Sequence, residues 1–269
     1  MIPAPVGHQC PECVAEARRE YRRGPGRQIA VANVKSTSVT KLLLVAIGIG
    51  YVWELVVAGG PGDLFQGPNQ LDLFNAGGAY APAIAAGQWW RLVTSIFLHA
   101  GLIHLGVNAY ALFILGGMIE REIGRVAMLI AFLTTGIFAS ATSYAFATRF
   151  AVGVGASGAI FGLVGLVVAY NYLRRHNMLA QARLRYVLTL LVINAIVGFS
   201  IPAIDWRAHL GGLVAGLVAG FAVDPSRPPA VRRMAAVAGI AALLVGTVVL
   251  VAIRTGQLND VIPLGLLAR

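Results

Sequence analysis

LIAFLTTGIFASATSYAFA, residues 129–147, decides the fold. Nineteen consecutive positions carry no charge, close to the roughly 20 residues an α-helix needs to cross about 30 Å of hydrocarbon. A membrane barrel strand would alternate apolar and polar residues with period two, whereas this run is apolar on every side, so a helix is expected.

Working outward, similar runs lie at about 42–58, 96–118, 156–173, 186–203, 208–223 and 235–253, which with 126–147 makes seven expected spans. Composition agrees: of 269 residues 58% are hydrophobic and 12% charged, and the mean hydropathy is +0.75. The expected fold class is therefore all-α, a polytopic membrane helix bundle with about seven transmembrane helices. The first run starts some forty residues in and lacks a small-residue cleavage site, so it does not read as a cleavable signal peptide.

A net charge of +10 could point to nucleic acid, but its distribution points to the lipid bilayer instead. Arg18, Arg19, Arg22, Arg23, Arg27, Lys35 and Lys41 precede the first span; Arg121 and Arg125 follow the second; Arg174, Arg175, Arg183 and Arg185 follow the fourth; Arg227, Arg232 and Arg233 follow the sixth. The alternate loops carry only Arg91, Arg149 and Arg207. The positive-inside rule then makes the N-terminus cytoplasmic, and an odd number of spans makes the C-terminus extracytoplasmic. The expected division is a basic cytoplasmic segment, 1–41; a core, 42–223; and a cytoplasmic loop, seventh helix and short outer tail, 224–269.

The only cysteines, Cys10 and Cys13, lie in HQCPEC with His8 beside them. Zinc normally takes four ligands and this chain has no second cysteine pair, so the three are weak metal candidates beside the simpler reading of two reduced thiols in a tail. Between the first two spans a loop of about 35 residues, rich in Gly and Pro, ends in GQWWR. Trp89 and Trp90 suit the headgroup level, and Arg91 is expected to reach toward phosphate.

Polar groups inside spans are expensive and each is a functional candidate. The second span holds His99, His104 and Asn108 in FLHAGLIHLGVNAY; the fourth opens GASGAIFG around Ser157; the fifth holds Asn194; the sixth opens DWRAHLGG around His209. Counting at about 1.5 Å per residue from the cytoplasmic helix ends puts His104, Ser157 and His209 at one level, roughly 22 to 26 Å up. Asn108 lies one turn from His104 on the same face. Gly158 with Gly162, and Gly212 with Gly216 and Gly220, form small-residue faces that let two helices approach closely.

This set suits nucleophilic catalysis. Ser157 is the candidate nucleophile and His209 its base; His104, Asn108 and the Ser157 backbone N–H are the candidate oxyanion donors, and Gly155 and Gly158 allow tight geometry around the serine. Asn194 reads as packing glue, and His99 as a residue of the outer interface. Asp205, four residues before His209, is placed either to orient the imidazole or to cap the span, and its position at the start of the span favours the cap.

These motifs resemble those of the rhomboid family. Its GxSG is met by Gly155, Ala156, Ser157 and Gly158, its HxxxN by His104 and Asn108, and its AHxxG by Ala208, His209 and Gly212; Trp90 with Arg91 resembles its WR pair, and Glu120 follows Gly116 and Gly117 as an acidic residue commonly does there. The resemblance covers about residues 42–223 and implies a six-helix core plus one additional span. It also implies a Ser/His dyad without an obligatory acid, no cofactor, transmembrane protein substrates and a wet cavity opening outward. Phe161 stands where many members have Tyr, and an aromatic ring there can still pack on His209. MIPAPVGHQCPEC resembles the end of a cysteine-rich module that some bacterial members carry, and the Ala, Gly and Arg richness suggests a bacterial source.

The expected function is that of an intramembrane serine endopeptidase, with the fifth span and the loop around Ser200, Ile201 and Pro202 as candidates for a moving gate. Two other readings use the same residues: a rhomboid-like factor that holds membrane proteins without cutting them, and a transporter. Transporters usually show repeated broken helices with binding near the midplane, and neither repeats nor midplane charges stand out here.

Overall fold

The computed structural model describes residues 2–4, 7–10, 12, 38–60, 64–65, 67–147, 151–200, 204–224 and 226–261. The chain divides into two units, Met1–Ser38 and Val39–Arg269. In the first, β1 (Ile2–Ala4) and β2 (Gly7–Gln9) form an antiparallel ribbon in which Pro3 pairs with His8. Strands of three residues are too short for a period-two pattern to register, so this exception to an all-α chain is not visible in the sequence.

The second unit is a helical membrane bundle. Its described residues hold seven helices of 17 residues or more: α1 (Val39–Val57), then, after the short α2 (Gln70–Ala76), α3 (Ala81–Ala85) and α4 (Arg91–Thr94), the long α5 (Leu102–Ile123), α6 (Arg125–Phe146), α7 (Ser157–Leu173), α8 (Met178–Ser200), α9 (Trp206–Ala222) and α10 (Pro229–Val261). Of these, α1, α5, α6 and α10 are long and apolar enough to cross a membrane by length and composition. At 17 residues α7 extends about 25 Å, short of a roughly 30 Å hydrocarbon layer.

Helix ends show how local chemistry sets these boundaries. Glu120, near the end of α5, accepts hydrogen bonds from the first amides of α1, Val39 N–H at 3.0 Å and Thr40 N–H at 2.9 Å, and from Thr40 Oγ at 2.7 Å. These are donors that a helix start leaves without partners. Gly124 alone separates α5 from α6, and its φ of +86° is open to glycine at little steric cost. Asn69 caps α2 by accepting from Leu71 N–H and Asp72 N–H.

The second expected span is displaced. Residues 95–97 form a 3-10 turn, the chain breaks at 98–101, and α5 starts only at Leu102, after Gly101 at φ +110°. The apolar run SIFLHAGL conceals the break because hydropathy records composition and not backbone geometry. The long loop before it is also more ordered than its composition suggests, being built from α2, α3 and α4.

α7 is the central helix, with Ile160, Leu163, Leu166 and Val167 buried in the main core beside Ile47 of α1, Leu112 of α5 and Phe132 of α6. Its most extensive partner is α9. The expected glycine faces meet there: a Cβ built on Gly212 would lie 2.0 Å from the Gly158 carbonyl oxygen, and one on Gly216 1.9 Å from that of Gly162. Any side chain at either position would hold the backbones apart.

Candidate active site

The contact between α7 and α9 brings one residue from each to a common point. Ser157 is the first residue of α7, and His209 lies in the first turn of α9. The distance from Ser157 Oγ to His209 Nε2 is 2.8 Å, a hydrogen bond of ordinary length. On the other side of the imidazole the Phe161 ring stacks nearly parallel, at 4.2 Å between centroids and 9° between planes. Phe161 is one turn after Ser157, so α7 supplies both the partner of His209 and the surface on which its ring lies.

The segment leading into α7 brings His104 to the same place. Gly155, at φ +132°, donates its N–H to the Ser95 carbonyl at 2.9 Å. A Cβ on Gly155 would stand 2.8 Å from His104 Cε1, 2.9 Å from His104 Nε2 and 3.7 Å from Ser157 Oγ. The bare Cα of Gly155 is thus what lets the His104 ring lie beside the serine. Two residues earlier, Gly153 and Ala79 exchange backbone hydrogen bonds of 2.8 and 2.9 Å, tying this segment to the loop before α3.

Asn108 is buried one turn along α5 from His104, and its Nδ2 donates to the His104 carbonyl at 2.8 Å. That bond uses one of its two amide protons and leaves the second for another acceptor. The backbone N–H of Ser157 belongs to the first four amides of α7, which have no acceptor within the helix, and the helix dipole favours negative charge at this end. The arrangement provides a hydroxyl held by an imidazole, with N–H donors nearby.

Other candidates lie elsewhere or bind differently. Asp205 caps α9, accepting from Arg207 N–H at 3.1 Å and Ala208 N–H at 3.3 Å, and its other oxygen accepts from Ser143 Oγ. Asn194 is exposed and donates to Leu190 O of its own helix at 2.9 Å, so it does not glue helices together. Arg91 does not reach toward phosphate. It is 4% exposed and donates to the Phe74 and Gly78 carbonyls at 2.7 and 2.9 Å and to Gln88 at 2.6 Å, stapling the loop from inside, while Trp89 and Trp90 stay exposed. The carbonyls of an irregular loop need donors where water is scarce, which outweighs the attraction of a headgroup.

His99 is wholly buried inside the protein, and its ring meets that of His104 edge-on at 5.1 Å. Glu54, also wholly buried, escapes the sequence reading because a charge near the end of a span resembles an interfacial residue. In the N-terminal unit His8 lies in β2 and Cys10 is exposed, while Cys13 and Ile201 and Pro202 of the expected gate fall outside the described residues. No cluster of three or more His, Cys, Asp or Glu placed to hold a metal occurs among the described residues.

The sequence matches known proteins over the region that builds this site. The model of the Rhomboid domain family matches residues 86–226. The rhomboid-family protein YdcA of Bacillus subtilis is 37% identical over 142 residues, 53% of this chain and 71% of that protein. Rhomboid protease GluP of the same organism is 36% identical over 164 residues, 61% of this chain but only 32% of GluP. The mitochondrial RHOMBOID-like protein 6 of Arabidopsis thaliana is 33% identical over 161 residues, 58% of this chain and 51% of that protein. The chain belongs to the rhomboid family.

Proposed function

We propose that this multi-pass membrane protein is an intramembrane serine endopeptidase that hydrolyses peptide bonds in or near the transmembrane segments of other membrane proteins. The observation that carries the reading is the 2.8 Å contact between Ser157 Oγ and His209 Nε2 across two helices. Serine is a weak nucleophile at neutral pH, and a neutral imidazole at this distance is the base that can activate it.

The reaction follows from these groups. Ser157 Oγ attacks the scissile carbonyl carbon while its proton passes to His209 Nε2. The tetrahedral intermediate carries its negative charge on the former carbonyl oxygen, where the Ser157 N–H, His104 and the second amide proton of Asn108 are the donors. His209 then gives its proton to the departing amine, the C–N bond breaks, and water removes the acyl group by the same steps in reverse roles. With Asp205 engaged as a cap, the centre works as a dyad, and the Phe161 stack takes the orienting part.

Substrate helices containing Gly, Pro or other weak helix formers are the expected targets, because the backbone must unwind before its carbonyl can be attacked. The exposed outer half of α8, with Val192, Ile196 and Ser200, supports the route by which such a segment reaches Ser157 from the lipid. The charge distribution supports a cytoplasmic N-terminus and an extracytoplasmic active-site mouth, with 42–223 as the catalytic core, and the composition supports a bacterial source.

The test is cleavage of a reporter transmembrane protein in proteoliposomes by the full chain, by Ser157→Ala and by His209→Ala. The proposal expects product from the first alone. Equal product from all three would reject it.

A further inference from the structure

The first helix buries a carboxyl group for which the dyad has no use. Glu54 of α1 is 0% exposed, in a span where a carboxyl is costly unless it does something. Its Oε1 accepts the His99 backbone N–H at 2.5 Å, 45 residues away in sequence. Among the described residues its Oε2 has no hydrogen-bond partner.

The approach is arranged one turn earlier on α1, where a Cβ on Gly50 would stand 2.2 Å from the Phe97 carbonyl oxygen. Only a bare Cα lets the helix lie this close to the 97–99 backbone, and Gly50 and Glu54 share a face.

The segment from Ser95 to His99 is therefore held at two points, both leading to the candidate site. At one end Ser95 O accepts from Gly155 N–H, two residues before Ser157. At the other Glu54 fixes His99, whose ring lies edge-on against the His104 ring at 5.1 Å and 64°. His104 is thus confined between the His99 ring and the Cα of Gly155.

We propose that Glu54 is a positioning residue that, by holding the backbone of His99, wedges the His99 ring against His104 and so sets the oxyanion-donating imidazole. This rests on the reading of His104 as an oxyanion donor. The wedge acts through an acceptor oxygen at position 54 and an aromatic ring at position 99. Neither needs a charge, which distinguishes it from an ion pair or a proton relay.

The test measures kcat and KM for cleavage of the reporter protein by the full chain, together with thermal unfolding in detergent. Glu54→Leu and His99→Ala are expected to lower kcat at least tenfold with KM within twofold. Glu54→Gln keeps the acceptor and His99→Phe keeps the ring, so both are expected within threefold of the parent in kcat. If Glu54→Leu does not fold, the His99→Ala and His99→Phe pair carries the same test. Full kcat in Glu54→Leu or His99→Ala would overturn the proposal. So would a loss in Glu54→Gln or His99→Phe as large as in the disruptive variant, because that would assign the effect to charge or titration. Ser157→Ala runs alongside: product from it would reject the protease reading itself, whereas an active parent with indifferent Glu54 and His99 variants would reject only the wedge.

Discussion

α9 and α8 both pack on α7, in opposite ways. α9 lies so close that a Cβ on Gly212 or Gly216 would collide with carbonyl oxygens of α7. The C-terminal half of α8 leaves Val192, Ile193, Asn194 and Ile196 exposed, while its N-terminal end is tied to α5 by the Arg183 to Glu122 ion pair. A hydroxyl and an imidazole on different helices stay within 2.8 Å only if the helices do not slide, and a substrate in the bilayer reaches them only if some neighbour gives way. Under the proposed function, the rigid part falls to α9 and the yielding part to α8, two neighbours of one helix.

The largest effect is expected from breaking the tight side. Gly216→Val places a branched side chain where even a Cβ has 1.9 Å to Gly162 O, and overpacking of this kind costs about 3 kcal/mol. The variant should unfold in detergent at clearly lower temperature and cleave no reporter. Arg91→Ala comes next: it strips the Phe74 and Gly78 carbonyls of a charged donor, a loss of about 2 kcal/mol measurable by thermal unfolding. Arg91→Lys, lacking the planar fork, should recover only part of it.

Phe161→Ala tests the orientation of the dyad alone. Loss of a stacked ring worth about 1 kcal/mol should lower kcat about fivefold, and Phe161→Tyr should restore it. The smallest effect is expected on the yielding side. Val192→Ala with Ile196→Ala removes only exposed methyl groups and should change stability by no more than about 0.5 kcal/mol in the same unfolding measurement. A loss comparable to that of Gly216→Val would show that α8 is not the loosely held neighbour.

Much of this was legible in the sequence because membrane helices obey few rules. Apolar runs of about span length located all seven long helices, and glycines four apart located the α7–α9 contact, since close approach admits almost nothing else. Helix counting puts Ser157, His104 and His209 at one expected level; in the structure Ser157 Oγ and His209 Nε2 lie 2.8 Å apart and the His104 ring lies beside Gly155. The break at residues 98–101 was hidden because its backbone is held by Glu54, from another helix. The roles of Arg91 and Glu54 were hidden for the same reason: their partners are loop and turn backbone groups that no local pattern announces.

The central claim is that Ser157 is made nucleophilic by His209, and the most direct measurement is the reaction of the full chain with a fluorophosphonate, in which the attacking oxygen displaces fluoride. One adduct per chain on the peptide containing Ser157 is expected, with none in Ser157→Ala and labelling slowed by about a thousandfold in His209→Ala. Labelling at another residue, or undiminished labelling in both variants, would contradict the account.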